Sequence, residues 1–169
     1  MKYFAYGSNM LYERLRRRVP SAIVIGTAKL SGYTLVWNKI GKDGSGKCSI
    51  VKTSKQKDNV WGILYEVDPA EKLNLDRVEG LGYGYDEIIV QLEFNGKTVE
   101  GCTYIATSFN PFLKPFCWYK DFVVYGAIQS NLPKHYTSIL ETADCIKDPD
   151  KKRNRINRNI LEKALKQQV

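Results

Sequence analysis

The chain has 169 residues, of which 43% are hydrophobic and 12% aromatic, and its formal net charge is +8. That length suits one domain able to bury its own core, and the composition excludes a disordered or collagen-like chain. No apolar run approaches the ~20 residues that span a bilayer, and Met1–Gly7 is too short and too soon broken for a signal-peptide core, so a cytoplasmic protein without membrane contact is expected.

Lys2–Tyr6 reads as a short strand stopped by Gly7. Ser8 or Asn9 is expected to cap a helix carrying Met10, Leu11, Leu15 and Val19 on its apolar side. Glu13, Arg14 and Arg16–Arg18 fill its other faces, and Pro20 ends it. Ala22–Trp37 is rich in β-branched and aromatic residues, with Gly26 and Gly32 as bulges or bends. Gly41–Lys47 reads as a solvent-exposed turn. It nearly matches a phosphate loop, but Cys48 stands where a magnesium-binding hydroxyl is needed and a strand follows where a helix should. Cys48–Thr53 and Val60–Val67 read as strands joined by the loop Ser54–Asn59. Asp68-Pro69 opens a helix that Glu79-Gly80 closes. Asn95-Gly96 marks a hairpin between Tyr85–Phe94 and Thr98–Ala106. Phe116–Gln129 and Pro133–Ala143 then read as helices, and 151–168 as a last basic helix or frayed tail.

Strands and helices do not alternate, so the expected class is α+β with a mixed, mainly antiparallel sheet. A boundary near Asp148-Pro149 separates a domain over 1–148 from a basic helix or tail over 149–169. Residues 151–169 carry seven basic side chains against Glu162 alone, so the basicity belongs largely to the tail. It holds no aromatic residue for stacking on bases, which speaks against nucleic acid as a partner. Cys48, Cys102, Cys117 and Cys145 show no paired metal-ligand spacing and His135 is the only histidine, so no metal is expected and the cysteines read as reduced thiols.

Two segments point to chemistry. Tyr6-Gly7-Ser8-Asn9 stands where a strand becomes a helix, and N–H groups there suit an anion or oxyanion. Glu79 ends a helix, where the macrodipole gives a carboxylate no reason to sit.

Taken in order, Tyr3–Met10, Val60–Tyr65, Leu75–Gly80 and the stretch from Trp118-Tyr119-Lys120 through Tyr125-Gly126-Ala127 to Asn131-Leu132-Pro133 resemble the γ-glutamylcyclotransferase (AIG2-like) family. The resemblance spans about residues 2–145. It implies a sheet closing into a small β-barrel with peripheral helices. It also implies release of an amino acid or amine from a small γ-glutamyl molecule, whose glutamyl part cyclises to 5-oxoproline without cofactor. Tyr6, Gly7, Ser8 and Asn9 would be the binding loop, Glu79 the acid/base, and Tyr85 and Tyr119 pocket tyrosines. Ser8 is not expected to act as a nucleophile. The short, lysine-rich Asn38–Asn59 departs from the animal enzymes and leaves the leaving group open. The same fold acting on a larger γ-glutamylated metabolite, or serving as a non-catalytic binding module, stays as an alternative. A homodimer is carried as one option.

Overall fold

The computed structural model describes residues 1–55 and 57–166. Gln56, within the expected 54–59 loop, and the end of the expected C-terminal helix lie outside the described residues.

Among the described residues seven strands and five α-helices follow one another. β1 (Lys2–Ala5) leads into a single 3-10 turn (Ser8–Met10) and a short α1 (Tyr12–Arg16). β2 (Ile23–Ser31), β3 (Tyr33–Ile40), β4 (Gly46–Lys52) and β5 (Asn59–Glu66) come next. α2 (Lys72–Glu79) precedes the hairpin of β6 (Tyr85–Phe94) and β7 (Lys97–Ala106). α3 (Cys117–Gln129), α4 (Lys134–Glu141) and α5 (Lys151–Lys166) follow.

Five strands close into a barrel in the order β1-β5-β2-β6-β7, and β3 and β4 form a separate two-stranded sheet. Every barrel pairing is antiparallel except β1 with β7, which meet in parallel at Tyr3 and Cys102 and close the ring. The α+β reading with a mainly antiparallel closed barrel therefore holds. The hairpin turn at Asn95 and Gly96 has φ of 51° and 72°, the left-handed pair that a two-residue turn requires. Phe4, Val60, Ile63, Leu64 and Leu92 are completely buried, and each such side chain contributes about 1.5–3 kcal/mol on burial.

α3 is the central helix. Trp118, Tyr119, Phe122, Val123 and Ala127 are all buried, and α4 and α5 pack against it. Its other side meets the 3-10 turn. A Cβ on Gly126 would stand 2.4 Å from the backbone nitrogen of Leu11 and the carbonyl carbon of Met10, so only glycine lets this helix back directly onto the turn.

Two expectations are corrected. Neither Ser8 nor Asn9 caps a helix: α1 begins after Leu11 without a side-chain cap, and Pro20 is preceded by only five helical residues. Burying Asn9 leaves its amide better used in long-range contacts, described below. The cysteines are not all reduced: Cys117 and Cys145 form a disulfide across 28 residues, with Cα atoms 5.0 Å apart. Sequence spacing held no sign of the pair, because the fold brings Ile146 beside Phe116 and thereby the two cysteines together.

Candidate active site

The end of β1, the 3-10 turn, the C-terminus of α2, the bottom of β6 and the β3–β4 sheet meet around a cavity of about 200 Å³. All seven residues singled out in the sequence line it: Tyr6, Gly7, Ser8, Asn9, Glu79, Tyr85 and Tyr119.

Glu79 is delivered by the last turn of α2, and Gly80 (φ 76°) reverses the chain immediately after it. Its carboxylate accepts a hydrogen bond from the Tyr3 hydroxyl at 3.0 Å and another from the Asn9 amide. The Asn9 amide also reaches the Tyr3 oxygen at 3.2 Å, while its carbonyl oxygen accepts from Arg18 at 3.1 Å. Burial pushes the Glu79 carboxyl above the ordinary carboxylate value. The Tyr3 hydrogen bond and the charges of Arg18, Arg14 and Lys39 pull it the other way. Tyr3 is itself pushed well above the usual phenol value by burial and by Glu79, so it stays a proton donor.

Gly7, which precedes the 3-10 turn, and Ser8 and Asn9 within it line the cavity. Its first hydrogen bond runs from the Met10 N–H to the Gly7 carbonyl, so the preceding N–H groups have no partner within the turn. Ser8 Oγ accepts from Arg14 Nε at 3.2 Å. No histidine stands near it. His135 lies at a second cavity, with Trp37, Trp61 and Tyr136.

The tyrosines divide by what their hydroxyls do. Tyr6 donates to the Tyr104 carbonyl. Tyr85 donates to the Cys48 carbonyl at 2.8 Å, while Tyr119 accepts from the Cys48 N–H at 3.1 Å. Tyr119 and Tyr85 thus hold Cys48 of β4 by its N–H and its carbonyl, two successive peptide groups. Tyr3 is the tyrosine whose hydroxyl touches Glu79.

Sequence reading missed Tyr3, Arg14, Arg18 and Lys39 as site residues. The spacing of Arg14 and Arg18, four apart, was a usable signal, but the run Arg16–Arg18 hid it among surface charges. Arg16 and Arg17 are exposed; Arg14 and Arg18 turn inward. The turn at 41–47 is also more than an exposed loop. Gly41, Lys42 and Lys47 line the cavity, and Ser45 and Gly46 are buried. Asp43 holds this turn in place by accepting from Lys47 at 2.7 Å and from Ser45 Oγ at 2.9 Å. Among the described residues, no cluster of histidine, cysteine, aspartate and glutamate is placed to hold a metal ion.

The arrangement offers one partly buried carboxylate able to move a proton, two neutral donors that orient it, and a wall rich in cations. The sequence profile of the AIG2-like family matches residues 59–140. The chain is 30% identical over 148 residues to the γ-glutamylcyclotransferase of Homo sapiens, covering 84% of this chain and 78% of that protein. It is 32% identical over 152 residues to the γ-glutamylcyclotransferase of Bos taurus, with the same coverage. A solved structure described as a γ-glutamyl cyclotransferase superposes with a TM-score of 0.84 at 26% identity, covering 94% of this chain and 98% of that one.

Proposed function

Since the chain belongs to the γ-glutamylcyclotransferase family, we propose that it is a γ-glutamylcyclotransferase whose reaction runs in the cavity beside Glu79. The observation that carries this reading is the Glu79 carboxylate, enclosed beside the Gly7–Asn9 turn and oriented by Tyr3 and Asn9.

The substrate brings its own nucleophile, the α-amine of the glutamyl group, and its own electrophile, the γ-carbonyl carbon. The pocket must fold the glutamyl chain so that the two meet, which removes much of the entropic barrier to ring closure. Glu79 takes a proton from the α-ammonium. The freed amine attacks the γ-carbon, and the turn at Gly7–Asn9 supplies N–H donors to the glutamyl half, at its carboxylate or at the developing oxyanion. Glu79 then returns the proton to the leaving nitrogen as the old C–N bond breaks. One C–N bond forms and one breaks; the attacking nitrogen passes from ammonium to lactam N–H and so loses two protons, which Glu79 relays in turn to the departing nitrogen, leaving 5-oxoproline and an ammonium product. Water takes no part, and neither does the Ser8 hydroxyl. A carboxyl pushed up by burial suits a group that must act first as base and then as acid.

The cytoplasm is proposed as the compartment. The free, buried thiols of Cys48 and Cys102 support it, and the Cys117–Cys145 bridge weighs the other way. The direct test is release of 5-oxoproline by the purified protein from a panel of γ-glutamyl dipeptides, γ-glutamyl amines and larger γ-glutamylated molecules. Release from none of them would overturn the reading.

A further inference from the structure

The cations around the cavity are not equivalent. Arg14 donates to Ser8, Arg18 to Asn9, and Lys47 to Asp43. Lys42 stands exposed at the rim. Lys39 differs from all of them: its residue is only 7% exposed, yet among the described residues its ammonium meets no hydrogen-bond acceptor and no carboxylate at ion-pair distance. Three features place it. A β-bulge between Val36 and Lys39 breaks the β3–β4 register, a device that re-aims a side chain. The Lys39 ammonium then lies 4.5 Å from the centre of the Tyr85 ring, on its face. Gly84 leaves it room, since a Cβ there would stand 3.0 Å from Nζ.

An ammonium partly withdrawn from water with no counter-ion beside it is stabilised when an anion arrives. Burial also pushes the ammonium below its ordinary value, against the pull of Glu79. On the cyclotransferase reading the glutamyl half takes the donors at Gly7–Asn9. Lys39, on β3 beside Gly84, is a separate cation of the same cavity, available to the part of the substrate beyond the scissile bond.

We propose that Lys39 determines leaving-group specificity, pairing its ammonium with a carboxylate on the departing group so that γ-glutamyl amino acids are preferred over γ-glutamyl amines. This rests on the cyclotransferase reading. Lys39 binds substrate beyond the reacting atoms and moves no proton.

A matched pair of substrates isolates the contact: γ-glutamylalanine, and γ-glutamylethylamide, which is the same amide without the leaving-group carboxylate. The readout is the ratio of kcat/KM for 5-oxoproline release. Wild-type protein is expected to favour the alanine substrate by about ten- to a hundred-fold, the range of one charge-assisted hydrogen bond. Lys39→Met removes most of that preference by slowing the alanine substrate alone, and Lys39→Arg retains it. An unchanged ratio in Lys39→Met, or an equal loss on both substrates, overturns the subsite and leaves cyclotransfer standing; the equal loss would mean that Lys39 acts only through Glu79. No preference in the wild type overturns the subsite as well. Turnover of neither substrate by the wild type removes the cyclotransferase reading and the subsite together.

Discussion

Glu79 is held by two neutral donors, Tyr3 and Asn9, inside a group of cations that do not reach it as ion pairs. This leaves burial as the dominant influence on its proton, and the sign has a consequence for stability. Below the unfolded carboxyl value, about 4.3, the group is protonated in both states and costs nothing. As pH rises through the raised folded value, ionisation inside the pocket is disfavoured and stability falls. Glu79→Gln is therefore expected to melt above wild type at pH 7, with the gain vanishing below about pH 4. Thermal melts of both proteins across that range check it, and a variant less stable than wild type at pH 7 contradicts it. Lys39 is the other residue whose burial is unexplained without a ligand, and its test is the paired-substrate ratio above. At this scale the sequence was most legible where side chains sit next to the turn, as Gly7, Ser8 and Asn9 do. It was least legible for Tyr3 and Lys39, whose roles depend on contacts made across 76 residues with Glu79 and across a bulge that no local pattern announces.

The elements follow their local signals closely where the chemistry of turns is specific. Asn95-Gly96 makes the hairpin, and Gly80 ends α2. Asp68 accepts from the Ala70 N–H at 2.8 Å and caps the 3-10 turn that leads into α2. The failure is α1. Its apolar spacing from Met10 to Val19 suggested a longer helix, but packing overrides propensity there. Met10 and Leu11 are pinned against α3 through Gly126, and a tighter 3-10 turn fits that approach where a full helical turn does not. The contact links helix packing to the site, because the turn that α3 presses on is the one that lines the cavity. Gly126→Ala forces backbone to shift. Overpacking of this kind costs about 1–3 kcal/mol, or roughly 3–10 °C in Tm for a chain of this size. It should also raise KM for γ-glutamyl substrates. Calorimetry and steady-state kinetics measure the two effects, and a variant with unchanged Tm and KM would contradict this coupling.

Across the whole molecule, the barrel supplies Tyr3 and Tyr85, the residue after β1 is Tyr6, the helices supply Glu79 and Tyr119, and the β3–β4 sheet supplies Lys39. The C-terminal helix joins this body through Leu161 and Ala164, which are buried, and through Arg153, which pairs with Asp148 at 2.6 Å. Asp148 in turn accepts from Trp118 of α3 at 2.8 Å, so part of the basic charge read from the sequence is neutralised against the domain. The Cys117–Cys145 bridge ties the start of α3, two residues from Tyr119, to the segment after α4. A loop of this length is worth about 3.5 kcal/mol, so denaturant unfolding with and without reductant should differ by that amount, while Cys48, its thiol pushed up to about 12 by burial, stays unreactive in the native protein. No unfolding difference would contradict a bridge that stabilises the fold. The α+β class was legible from element order, the barrel from the family resemblance, and the residues that line the cavity from ordered motifs. The disulfide, the inward arginines and the cation wall were not, because each is created by long-range packing. The account turns on Glu79 moving the proton in an intramolecular cyclisation. The measurement that bears on it most directly is 5-oxoproline formation from γ-glutamylalanine by folded Glu79→Gln protein beside wild type. A loss of about 10²-fold or more in kcat is predicted, the usual contribution of a general acid/base, and undiminished 5-oxoproline formation by the variant would contradict it.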